Sequence, residues 1–155
     1  METGKSGKSE RYKITPDDID DFYRAFMAAK DKAISDSTLR VELNSVANRE
    51  LALEALGGGT ANGAFRVFIG TILAGFTVHL LNATTDGRVK VFYSDLMEGM
   101  LNILLRSEYS TRDYKVFIVK LKREDREDYL THLIKSCLDV CIKNITRGFD
   151  KVLNG

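Results

Sequence analysis

The side chains best able to make or break bonds are scarce in this sequence: two histidines and two cysteines in 155 residues. A serine or cysteine nucleophile needs a base beside it. The only histidines are His79, inside a long apolar run, and His132, in a charged stretch, and neither has a recognisable catalytic partner in sequence. His79 reads as a core histidine with one local hydrogen bond. Asp128 and His132 stand four apart, as do Cys137 and Cys141. The thiols, however, fall on an apolar stripe from which Asp128 and His132 are displaced around the helix, so the four groups do not converge on one ion. Two core thiols and an exposed ion pair are the expectation, with no metal and no cofactor. Carboxylates pair at Asp17/Asp18, Asp20/Asp21, Glu124/Asp125 and Glu127/Asp128, all at predicted helix starts, where the positive end of the helix dipole accounts for them. Acid–base chemistry has no support, and an enzyme is not expected.

Glycines before a helix can hold phosphate on backbone N–H groups. The run Gly57-Gly58-Gly59-Thr60-Ala61-Asn62-Gly63 precedes an apolar helix, yet Gly63-Ala64-Phe65-Arg66 supplies no lysine, and no strand leads into the glycines. Neither phosphate-loop nor dinucleotide spacing is met. A plain helix–helix connection is the favoured reading, with Arg66 the anion partner in the alternative.

The basic residues leave more open. Arg112, Lys115, Lys120, Lys122, Arg123 and Arg126 are interleaved with Tyr114 and Phe117, a pattern suited to a phosphate backbone and an occasional stacked base. Lys135, Lys143, Arg147 and Lys151 follow near one polar face of the last helix. Total charge is balanced, 23 Lys and Arg against 22 Asp and Glu, so nucleic-acid contact would be local rather than driven by a global basic field.

These groups must be positioned by a fold whose elements follow from capping and periodicity. Residues 1–14 carry Lys5, Lys8, Arg11 and Lys13 with little to bury and are expected to form a flexible basic arm, leaving 15–155 as a single helical domain. Thr15-Pro16-Asp17-Asp18 supplies an N-cap, a proline for the first turn and acids for the helix dipole. The first helix then presents Ile19, Phe22, Tyr23, Phe26, Met27 and Ile34 on one face. Ser35-Asp36-Ser37 separates it from a second helix ending near residue 56. Ala64 to Leu81 is apolar around nearly its whole circumference, which predicts a central helix buried on all sides. The competing membrane span is disfavoured, since its uninterrupted apolar part is about 15 to 17 residues against the roughly 20 a bilayer needs. Gly70, Ala74 and Gly75 are placed to let neighbours approach it closely.

Arg88 to Tyr93 alternates, with Val89, Val91 and Tyr93 on one side, and predicts a short strand. A fourth helix then starts at a Ser94-Asp95 cap. Tyr114 to Lys122, rich in β-branched and aromatic residues, predicts a second strand paired with the first. From Glu124 to Leu153 the stripe Leu130, Ile134, Cys137, Cys141, Ile145, Phe149 and Val152 predicts a long amphipathic helix.

The expected fold is therefore mainly α (α+β): about five helices around a buried central helix, a small two-stranded β-sheet and a long C-terminal helix. The expected role is a non-catalytic small helical subunit of a multi-protein or ribonucleoprotein assembly. Its nucleic-acid contacts would be Arg112, Lys115, Lys120, Lys122, Arg123, Arg126, Lys135, Lys143 and Arg147. The small subunits of CRISPR effectors illustrate that role, although no motif here identifies them. The alternative is a protein-interaction or self-assembling module without nucleic-acid binding. Partners would be other protein subunits, further copies of the chain or single-stranded nucleic acid, with no membrane. The unbridged cysteines and polar N-terminus point to the cytoplasm.

Overall fold

The structure, a computed structural model, describes residues 14–154. The expected arm lies almost wholly outside the described residues. Six helices follow in order: α1 (Pro16–Ile34), α2 (Ser37–Ala55), α3 (Ala61–Leu81), α4 (Gly87–Leu105), α5 (Thr111–Leu121) and α6 (Arg126–Asn154).

Caps written in the sequence start five of them. Thr15 and Asp18 form a reciprocal capping box at α1, Thr15 Oγ1 accepting from the Asp18 N–H at 3.2 Å and Asp18 Oδ2 from the Thr15 N–H at 2.9 Å. Asp36, Thr60, Asp86 and Ser110 cap α2 to α5 through their side-chain oxygens. The α2–α3 link shows why its glycines are there. Gly57 has φ +79°, its N–H donates to Glu54 O and that of Gly58 to Leu53 O, the paired bonds of a left-handed helix stop. Gly59 lies against the ring and hydroxyl of Tyr114, where any Cβ would collide.

The predicted two-stranded sheet is not formed: the described residues contain no strand. Arg88–Tyr93 is the first part of α4, which begins at the Asp86 cap rather than at Ser94-Asp95. Tyr93, Met97, Met100 and Leu104 are its buried residues, spaced four, three and four; Val89, one turn before Tyr93, packs on the same side, while Val91 is 43% exposed, so the apparent alternation does not set the buried face. Tyr114 to Leu121 lies within α5, and Lys122 is its C-cap. It buries Tyr114, Phe117, Ile118 and Leu121 and leaves Val116 and Val119 49% and 59% exposed, a helical rather than an alternating distribution. Strand preference spans only about 1 kcal/mol per residue. Burying four large side chains of a capped helix exceeds it, at about 1.5–3 kcal/mol each.

α3 is the centre: it packs against all five other helices. Buried residues from every helix join one cluster, with Phe22, Phe26, Phe76 and Phe117 among its largest fully enclosed members. Phe22 meets Tyr93 and Phe149 edge-on at 5.5 and 5.4 Å, tying α1 to α4 and α6. α3 is not enclosed on all sides, however. Val67, Ala74 and Val78 form an exposed strip, Val78 at 56%. By length and composition α3 is the one helix among the described residues that could cross a membrane, and its opposite row, from Ala64 to Leu80, is packed on its neighbours. Of the small residues on it, Gly75 gives the close approach, since a Cβ there would stand 2.9 Å from Leu39 Cδ1 of α2; Gly70 faces no neighbour within 4 Å.

Candidate functional site

The nine predicted contact residues divide into two groups. Four are engaged inside the chain. Arg126 is structural: its Nε donates to Leu121 O at 2.6 Å, and Nη1 reaches Asn48 Oδ1 at 3.0 Å, so the guanidinium clamps the α5–α6 turn onto α2. Lys122 pairs with Glu54 at 3.5 Å, Arg123 pairs with Asp125 at 3.2 Å, and the Lys120 ammonium stands over the Tyr129 ring, 5.7 Å from its centre. The other five, Arg112 and Lys115 on α5 and Lys135, Lys143 and Arg147 on α6, are exposed and have no ion-pair partner among the described residues. Lys143 and Arg147, with Lys151 beyond them, recur every four residues along one side of α6, rising about 6 Å per step. Lys135 is two turns earlier and about 80° around the helix from that row. The structure thus brings three cations into line and spreads the rest.

His79 is not held locally. Its Nε2 lies 2.7 Å from Asp36 Oδ2, joining the last turn of α3 to the first of α2, while Asp36 Oδ1 accepts from the N–H groups of Thr38 and Leu39 at 2.9 and 3.2 Å. The hydrogen bond from His79 holds the Asp36 carboxyl below its usual range; partial burial opposes the shift, and the two backbone donors reinforce it. No serine, threonine or cysteine is hydrogen-bonded to His79 among the described residues. The pair fastens two helix ends and lacks a nucleophile. His132 meets Ser136 Oγ at 3.4 Å instead of pairing with Asp128, so the expected ion pair gives way to a contact one turn on. No group of three metal-ligating side chains occurs among the described residues.

Tyr114 and Phe117, expected to stack an occasional base, are instead buried in the core, and Tyr114 lies beneath the α2–α3 link with Glu50, which the sequence did not single out. Glu50 is buried, and the loss of water pushes its carboxyl pKa up. The Tyr114 hydroxyl is buried without a hydrogen-bond partner, its pKa raised by burial and then by the Glu54 and Glu50 carboxylates. Gly63 N–H donates to Thr60 Oγ1, so one amide of the possible phosphate cradle is already satisfied, and Arg66 is exposed.

A second feature is formed only by convergence. Phe65, Phe68, Ile69 and Ile72 of α3, Leu104 of α4, Tyr109, Phe117 of α5 and Leu133, Ser136, Cys137 and Val140 of α6 line a cavity of about 210 Å³. Phe65 stacks on Tyr109 at 4.4 Å, and Phe68 meets Phe117 edge-on at 4.9 Å, so aromatic rings form much of its wall. Cys137 is half-buried there, whereas Cys141 is fully buried, its thiol pKa pushed up by hydrogen bonding to Cys137 and by burial. The pairing of Phe65 with Phe68 and of Cys137 with Val140 was present in the sequence, but nothing in it placed those pairs opposite each other.

No protein family matches the chain, and neither a curated protein nor a solved structure is significantly similar to it.

Proposed function

We propose that this chain is a non-catalytic helical subunit of a multi-protein or ribonucleoprotein assembly and that it contacts a nucleic-acid backbone through Arg112, Lys115, Lys135, Lys143 and Arg147. One observation carries the reading: these five cations are exposed and uncommitted, while four neighbouring cations are occupied within the fold. An unpaired surface cation releases phosphate counterions on binding and so contributes an electrostatic, salt-sensitive affinity. Lys143 and Arg147, one turn apart on the same side of α6, add a direction along which a single strand could run. Lys120, Lys122 and Arg126 drop out of the contact set, because recruiting them would compete with contacts that join α5, α6 and α2, and Arg123 drops out because it is paired with Asp125 within the α5–α6 link.

Fluorescence anisotropy with a labelled single-stranded RNA, repeated across salt concentrations, tests this. Five phosphate contacts give a slope of log affinity against log salt of about −3.5 for a single strand. Lys143→Glu with Arg147→Glu should make that slope shallower by about 1.4 and weaken binding. Absence of binding at low salt, or an unchanged slope in the double variant, overturns the reading.

The exposed strip Val67, Ala74 and Val78 on α3 supports a second reading, an interaction or self-assembly module. A defined oligomer by light scattering, dispersed by Val78→Lys and accompanied by no RNA binding, favours it.

A further inference from the structure

We infer that the cavity between α3, α4, α5 and α6 is a binding site for a compact, neutral, ring-shaped apolar molecule. No charged side chain lines it, so an ionised ligand would lose its water without gaining a partner. Three lining residues carry a side-chain heteroatom. Ser136 is turned to His132, and a thiol is a weak hydrogen-bonding group, so Tyr109 and Cys137 offer a ligand little polar contact. The walls are otherwise hydrocarbon, with Phe65, Phe68 and Phe117 offering ring faces and edges. Size narrows the class further: an apolar protein cavity of about 150 Å³ accepts benzene. At about 210 Å³ this one suits a fused bicyclic ring. The pocket is open to solvent on one side, and its lining includes Val140, 43% exposed, beside the half-buried Cys137. This site is separate from the five free cations and stands or falls independently of them.

The test uses the full chain with indole. The protein contains no tryptophan, so indole emission excited beyond the tyrosine band is read without interference. Saturable binding with a shift of that emission to shorter wavelength is expected. At ten times its dissociation constant, indole should slow N-ethylmaleimide alkylation of Cys137 about ten-fold, since only the unoccupied fraction reacts. Cys137→Phe fills the space from its wall and Val140→Phe from its exposed rim, the second at little risk to folding; each should weaken indole binding at least ten-fold. Lys143→Glu with Arg147→Glu should leave indole binding unchanged. The inference is overturned by absence of an emission shift up to the solubility of indole. It is equally overturned if Cys137 alkylation is unprotected, or if binding is undiminished in a filled variant that circular dichroism shows to be folded.

Discussion

Replacing Gly59 with alanine should destabilise the protein, and removing one oxygen atom 55 residues away should abolish the effect. A Cβ on Gly59 would overlap the Tyr114 hydroxyl outright, while standing 3.3 Å from Tyr114 Cζ and 3.4 Å from Glu54 Cα. The hydroxyl alone makes the collision severe; the other two contacts yield to a shift of a few tenths of an ångström. Gly59 does not occupy the positive-φ region, so alanine meets no backbone strain there. Overpacking of this kind costs about 1–3 kcal/mol. Tyr114→Phe deletes a buried hydroxyl that has no partner, and by itself it should lie within about 1 kcal/mol of neutral. Combined with it, Gly59→Ala should cost nearly nothing, or even gain the roughly 0.4–1 kcal/mol that alanine brings by restricting the unfolded chain. The coupling between the two sites is then about 2 kcal/mol, within the range for residues in contact. Urea unfolding of the four proteins, at a common denaturant slope, measures it. Equal costs for Gly59→Ala in the tyrosine and phenylalanine backgrounds would refute the packing argument.

Three further outcomes follow from polar groups. The Asp36 carboxyl, held low mainly by His79, contributes stability that is present above the unfolded carboxylate pKa and lost as pH falls through the lowered folded value. Asp36→Ala should therefore cost about 1 kcal/mol near neutrality. That difference should shrink below about pH 4, and urea midpoints showing a constant gap would contradict the assignment. Glu50 is the opposite case: its raised pKa means the folded state prefers the protonated form, so stability rises as pH falls through the folded value. Glu50→Gln should raise the urea midpoint at neutral pH, and a lowered midpoint would reveal an interaction of the carboxylate that outweighs its burial. Arg126→Ala should cost about 1.5–3 kcal/mol through its bonds to Leu121 O and Asn48. It should leave the salt slope of RNA binding unchanged, which anisotropy below the unfolding transition can check.

Local signals located much of this architecture. The Thr15–Asp18 box, the Asp36 break, the glycine stop after α2 and the long stripe of α6 all act between residues a turn or two apart, where spacing along the chain equals spacing in space. The same logic failed at 88–93 and 114–122, because a six- to nine-residue window of β-branched and aromatic side chains fits both periods. Only the packing of Tyr93, Met97, Phe117 and Leu121 onto the rest of the core selected the helical one. Within the candidate sites, the sequence by itself determined which cations exist and that Lys143, Arg147 and Lys151 share a helical row. Tertiary structure decided which cations are free, since Glu54 reaches Lys122, and Asn48 reaches Arg126, across 68 and 78 residues of chain. It also decided that His79 serves the Asp36 cap and that four helices and a connecting tyrosine line one apolar pocket. Both are properties of distances between residues far apart in the chain, which no local periodicity encodes.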